Sequence, residues 1–123
     1  MTKYQITNNE GYFHLKFLTQ VDLETIQCAY PDLLRHKDFT PESHTLWDFK
    51  DAIVLLSIPD MHVIANAVIA AASKRAESAK SAFYVPDPHD AALLENYITL
   101  VAHYPVEFKI FSEWQQSVRW LAS

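Results

Sequence analysis

Four segments of this chain combine a helix-capping signal with an apolar stripe at helical spacing, and they constrain its fold most strongly. In each signal a Ser, Thr or Asp stands three positions before an acidic residue or Gln, the spacing at which two side chains satisfy free backbone N–H groups at a helix start. The pairs are Thr19 with Asp22, Ser57 with Asp60, Asp87 with Asp90, and Ser112 with Gln115. Each pair predicts the start of an amphipathic helix that must bury one face.

Short segments rich in β-forming residues lie before and between these helices. Residues 4–6 and 12–17 predict an antiparallel hairpin, because the intervening residues 8–11 include Asn and Gly, which tolerate positive φ angles. Later central strands are predicted at residues 45–49, 81–85 and 107–111. The order β-β-α-β-α-β-α-β-α predicts an α/β fold with a mixed, mostly parallel sheet and helices packed on it. We expect one domain over residues 1–123, with any ligand site at the carboxyl ends of the strands.

Composition excludes several classes of function. The chain has 15 acidic and 10 basic residues, a formal net charge of -5, so we expect no nucleic-acid partner. Its single glycine, Gly11, excludes glycine-rich phosphate loops and dinucleotide-binding fingerprints. The longest apolar stretch, residues 61–72, is too short to span a membrane, and the N-terminal residues do not resemble a signal peptide. The lone Cys28 is predicted to pack in the core, and a chain without an internal disulfide suits the cytoplasm.

Acidic residues and one histidine near the predicted strand ends are the candidates for a ligand or cation site. They are Asp48, Asp60, Asp87, His89 and Asp90. Carboxylates that converge at one sheet edge could bind Mg²⁺, whereas the same residue types also serve as helix caps and exposed first-turn residues. The histidines show no zinc-ligand spacing, and nothing near His89 suits a nucleophile. We therefore predict no catalytic residue, no resident metal and no cofactor.

Short hydrophobic strings follow one another over most of the chain: Leu46-Trp47-Asp48-Phe49, Ala82-Phe83-Tyr84-Val85-Pro86-Asp87, Val106-Glu107-Phe108-Lys109-Ile110-Phe111 and Trp120-Leu121. Together they resemble the SpoIIAA-like family, whose domains are similar to STAS (sulfate transporter and anti-sigma antagonist) domains and to the lipid-binding core of Sec14-type proteins. The resemblance implies a compact cytoplasmic domain that often self-associates and often has no known activity. In anti-sigma-factor antagonists, a serine in an Asp-Ser-Ser-Gly string at a helix start is phosphorylated. The corresponding residues 51–60 contain one serine, Ser57, and no glycine, so Ser57 is the phosphorylation candidate and a helix cap is its alternative role.

Three hypotheses for function follow from these observations. The first is a non-enzymatic STAS-like module that binds another protein or itself, and it predicts a homodimer. The alternative is a carrier of a small hydrophobic ligand or lipid of Sec14 type, which requires a cavity of roughly several hundred Å³. The third is an enzyme that uses Mg²⁺, and it requires Asp48, Asp60 and Asp87 to converge in space.

Overall fold

Within the residues that the structure describes, the protein folds around a five-stranded sheet with four α-helices. The computed structural model describes residues 2–123. The strands are β1 (Tyr4–Asn9), β2 (Tyr12–Phe17), β3 (Gln20–Val21), β4 (Thr45–Asp48), β5 (Ile53–Val54), β6 (Lys80–Tyr84) and β7 (Glu107–Phe111). The helices are α1 (Leu23–Leu34), α2 (Ile58–Ala70), α3 (Pro88–Leu100) and α4 (Trp114–Leu121).

The main sheet has the order β1-β2-β4-β6-β7. β1 pairs antiparallel with β2, and every other pair in this sheet is parallel. Gly11 has a φ of 91°, which lets the chain reverse between the paired residues Asn9 and Tyr12. The predicted α/β class, the opening hairpin and the mostly parallel sheet are therefore confirmed.

The two faces of the sheet are covered unequally. The larger core contains side chains from α1, α2 and α3 packed on one face, with Leu15, Phe17 and Leu33 fully buried at its centre. The smaller core lies on the opposite face, where Leu121 of α4 packs against Leu46 and other sheet residues. Successive strands are added in the same direction across the sheet, so right-handed crossovers place three consecutive helices on one side.

Two predicted helix starts are wrong. α1 begins after Asp22, whose carboxylate accepts from the Thr25 N–H at 2.9 Å, and Thr19 instead accepts the Ile53 N–H through its backbone carbonyl. α4 begins after Glu113, which makes no side-chain cap to residues in the described range 2–123. The predicted pair Ser112 and Gln115 therefore does not form a capping box.

A second, two-stranded sheet was not predicted. β3 and β5 pair in parallel, with the Leu55 N–H donating to the Val21 carbonyl at 2.8 Å. Each strand has only two residues, too few for a hydrophobic alternation to stand out in the sequence. This small sheet holds the chain that leads into α2 against the start of α1.

Cys28 is exposed rather than packed in the core. The buried stripe of α1 consists of Thr25, Ile26, Ala29 and Leu33, and position 28 lies on the other side of the helix. The prediction of a core thiol is therefore wrong.

Candidate functional site

The acidic residues predicted to form a ligand site have separate structural roles. Asp60 completes a capping box with Ser57 at the start of α2: the Ser57 N–H donates to Asp60 at 2.9 Å, and the Asp60 N–H donates to the Ser57 hydroxyl at 3.2 Å. Asp87 caps α3 by accepting from the His89 and Asp90 N–H groups at 2.8 and 3.3 Å. Among residues 2–123, no three His, Cys, Asp or Glu side chains are grouped so that they could hold a metal ion. The convergence that the Mg²⁺ hypothesis requires is absent from this part of the chain.

The first turn of α3 keeps its polar groups at the surface. His89 is exposed, and Asp90 is partly buried. Burial raises the pKa of Asp90, and the negative charge of Asp87 raises it further. Two carboxylates beside one helix start are expected where capping and the helix dipole favour negative charge, and they do not by themselves form a ligand site.

Asp48 is the one candidate that takes part in a buried polar pair. Its Oδ2 lies 2.9 Å from Nε2 of His14, which comes from the adjacent strand β2, and its Oδ1 accepts the Lys50 N–H at 2.9 Å. The Asp48 side chain is 6% exposed and that of His14 19%. Burial alone would raise the pKa of Asp48, but the hydrogen bonds from His14 and the Lys50 backbone outweigh it and lower the pKa.

Aromatic rings enclose this pair on the α4 side of the sheet. The Trp114 ring meets the His14 ring edge-on at a centroid distance of 5.0 Å and the Tyr84 ring at 5.6 Å. His14 was not predicted as part of a site, because it lies 34 positions from Asp48 and only the register of β2 against β4 brings the two together. The pair fixes Trp114, and with it the start of α4, against the sheet.

Exposed large hydrophobic side chains are concentrated on α2 and on the segment that leads into it. Throughout residues 2–123, the exposed large hydrophobic side chains fall between positions 53 and 69. We call this set the α2 surface: Ile53, Leu55, Ile58, Val63 and Ile69. Helices on a protein surface usually present polar residues to solvent, so a segment that concentrates exposed apolar side chains can mark a binding site.

The α2 surface contains little charge. Between positions 53 and 70 the sequence has one acidic residue, Asp60, and no Lys or Arg. Asp60 is occupied by the capping box, and its partner Ser57 is exposed between Leu55 and Ile58. The predicted phosphorylation candidate therefore lies inside the α2 surface.

An apolar cavity of about 150 Å³ lies beneath the helices, between them and the sheet. Its lining includes Trp47 and Phe83 from the sheet, Met61 from α2 and Tyr97 from α3. The sequence did not predict this space, because its shape depends on how three helices pack on the sheet.

No helix in the described residues 2–123 is long and apolar enough to cross a membrane. No family model matches the chain, and no curated protein matches it. Among solved structures, the chain is similar to an uncharacterized protein of the DUF3478 family from Shewanella loihica PV-4, which has a SpoIIAA-like fold. The two are 17% identical, the alignment covers 96% of this chain and 91% of the other, and the TM-score is 0.61. The chain therefore has a SpoIIAA-like fold, as its sequence strings predicted.

Proposed function

We propose that this protein is a non-enzymatic STAS-like binding module and that the α2 surface binds a second copy of the chain. The observation that carries the proposal is the confinement of exposed large hydrophobic side chains, within residues 2–123, to positions 53–69. Burying such side chains on association is favourable by about 25 cal/mol per Å² of apolar area. While these side chains remain exposed to water, that free energy is not gained. A partner that covered them would bind with this favourable contribution.

The chemistry of the α2 surface favours a second copy over a charged partner. The surface offers no Lys or Arg to an acidic protein, and its single carboxylate, on Asp60, already accepts a backbone N–H. Two copies related by a two-fold axis would place uncharged surfaces together.

The His14–Asp48 pair supports a role without catalysis. Within residues 2–123, His14 makes its side-chain hydrogen bond to Asp48, and its ring packs against Trp114. A hydrolase of the triad type also needs a hydroxyl or thiol nucleophile hydrogen-bonded to the histidine. The pair instead has the contacts of a structural link between β2, β4 and α4.

The cavity volume favours the binding module over a Sec14-type lipid carrier. Pockets for drug-sized ligands measure roughly 300–1,000 Å³, and a lipid chain needs at least as much. The cavity here measures about 150 Å³. A bound lipid would therefore require more space than this cavity provides.

Ser57 gives the proposed interface a point of regulation. A phosphate on its hydroxyl would add about −1.5 to −2 charges at neutral pH within an apolar interface. It would also lie close to Asp60, because the Asp60 N–H now donates to that hydroxyl. We therefore expect phosphorylation of Ser57 to favour the monomer.

Light scattering coupled to size-exclusion chromatography tests the proposal with two charged variants. Ile58→Glu places an anion in the first turn of α2 and Ile69→Lys a cation in its last turn, so both charges suit the helix dipole and leave the helix intact. We expect the wild type to elute at twice the chain mass and each variant at the mass of one chain. Matched controls carry the same charges at exposed helix positions elsewhere: Gln115→Glu on α4 and Thr99→Lys on α3.

The controls are expected to remain dimeric. A wild type that is monomeric at every accessible concentration contradicts the proposal. So does a dimer that survives both α2 substitutions, because its interface must then lie elsewhere.

A further inference from the structure

Arg75 is a buried cation without an acidic partner. Its residue is 7% exposed, although arginine is almost never buried unless it is paired. One terminal nitrogen donates to the Ser43 carbonyl at 3.1 Å, and the guanidinium carbon lies 5.3 Å from the centre of the Phe39 ring. Over residues 2–123, the ion pairs involve other cations, and the Nε of Arg75 has no hydrogen-bond partner.

This arrangement is energetically incomplete. A buried charge that lacks both a counter-charge and a full set of hydrogen bonds carries a desolvation cost that the protein does not recover. The carbonyl of Ser43 and the Phe39 ring offset part of that cost. An anion that reached Nε would provide the missing partner.

Two buried tyrosine hydroxyls also lie near Arg75. The Tyr30 and Tyr104 hydroxyls are close to one another, and neither has a hydrogen-bond partner elsewhere in the range 2–123. Burial raises the pKa of Tyr104, as does the proximity of Tyr30, and the positive charge of Arg75 opposes the shift without cancelling it. Each phenolic hydroxyl can donate its O–H to an acceptor placed beside it.

The cavity provides an apolar compartment beside these donors. Tyr30 and Arg75 line it together with Met61, Phe83 and Phe108. A closed apolar cavity of about 150 Å³ in another protein holds a molecule of benzene, so this volume suits a single ring or a short branched chain. The ligand that fits has a compact apolar body and one anionic group.

We propose that the cavity binds a small monocarboxylic acid of the size of benzoate, with its carboxylate on Arg75 and its apolar body against Met61 and Phe83. A monoanion balances the single charge of Arg75, and its oxygens can accept from the guanidinium and from the Tyr30 hydroxyl. Inorganic phosphate would leave surplus negative charge and the apolar lining uncovered. The proposal goes beyond the proposed dimer and does not depend on it.

Methionine methyl NMR on the full chain tests this inference with sodium benzoate as the probe. Met61 is the sole methionine after Met1, is fully buried and lines the cavity, so its methyl resonance reports directly on ring occupancy. We expect benzoate to shift this resonance saturably. Benzamide, which has the same shape without the charge, and acetate, which has the charge without the ring, should each bind at least about tenfold more weakly.

Arg75→Gln removes the proposed counter-charge, and Arg119→Gln removes the same charge from an exposed position on α4. We expect Arg75→Gln to weaken benzoate binding at least about tenfold and to abolish the preference over benzamide, while Arg119→Gln binds like the wild type. An unshifted Met61 methyl, or equal affinities for benzoate and benzamide, overturns the inference. If Arg75→Gln does not fold, the comparison of the three probes on the wild type decides the question by itself.

Discussion

His44 links two parallel strands through an acceptor that only the neutral imidazole with its proton on Nε2 offers. It immediately precedes β4, and its Nδ1 accepts the N–H of Lys80, the first residue of β6, at 3.0 Å. Burial lowers the pKa of His44 below its usual 6.5, and the positive charges of Lys80 and Arg75 lower it further. Protonation would remove the acceptor and place a third cation beside these two.

The depressed pKa of His44 predicts a loss of stability in mild acid. The unfolded chain takes up a proton near pH 6.5 while the folded chain resists it, so the contribution of His44 is complete above pH 6.5 and is lost as the pH falls toward the folded pKa. His44→Asn keeps an acceptor and cannot titrate, so we expect it to flatten this part of the profile. Urea unfolding at pH 7.5, 6.5 and 5.5 measures the change, and the exposed His103→Asn should leave the slope as in the wild type.

Asp48 predicts a second loss of stability at lower pH. Although burial opposes its ionisation, the hydrogen bonds from His14 and the Lys50 N–H lower its pKa below 3.8, so its contribution is present above pH 3.8 and is lost below it. Asp48→Asn keeps the shape and loses the charge, and we expect it to lower the free energy of unfolding by about 1–2 kcal/mol at pH 6. In guanidinium unfolding at pH 6, 4 and 3, the difference in free energy of unfolding between wild type and variant should decrease as the pH falls. A constant difference would contradict the role of the charge.

Single residues were predictable where their partners are close in sequence. Ser57 and Asp60 form the capping box that their spacing predicts, because both partners belong to one helical turn. His14 could not be paired with Asp48 in this way, since the pairing depends on strand register across the sheet. The burial of Arg75 was likewise not predictable, because a lone arginine is normally exposed. The groups that contact it, the Phe39 ring and the Ser43 carbonyl, belong to the segment between α1 and β4, far from it in sequence.

At the scale of elements, α4 has the weakest start of the four helices. Glu113 occupies the N-cap with an extended backbone, φ −127° and ψ 135°, but in the described residues its side chain makes no cap, whereas Asp22, Ser57 and Asp87 cap the other helices. The longer Glu side chain is a poorer N-cap than Asp. Helix α4 is consequently held mainly by the contacts of its apolar side with the sheet.

Glu113→Asp should stabilise the protein by supplying the missing cap. The substitution keeps the charge and brings a carboxylate oxygen within reach of the free N–H groups of α4, for a gain of about 0.5–1 kcal/mol in the free energy of unfolding. Chemical denaturation at pH 7 measures the gain. Ser112→Asp adds a carboxylate one position earlier, outside the cap, and should change stability less. Because Glu113→Asp leaves the net charge unchanged, a gain of the expected size would come from the cap, and no gain would contradict the prediction.

For the whole molecule, the alternation of strands and helices predicted the topology, because crossovers between parallel strands are almost always right-handed. The repeated direction of those crossovers leaves α4 alone on the second face, which the sequence does not reveal until the strand order is known. The same arrangement places α2 between α1 and α3 on the crowded face, where its inner side packs in the core and its outer side remains in water. The apolar composition of α2 was visible in the sequence, but which side stays exposed was not.

Exposure of the α2 surface has a consequence for thermal stability if two copies associate through it. Because association stabilises the folded state by mass action, the melting temperature of the wild type should rise with protein concentration, by about 2–3 °C for each tenfold increase. Ile58→Glu, which keeps the helix and prevents the contact, should melt at a temperature independent of concentration. Differential scanning calorimetry over a hundredfold range of concentration compares the two. If the melting temperatures of wild type and variant both depend on concentration, or if neither does, α2 does not form the interface.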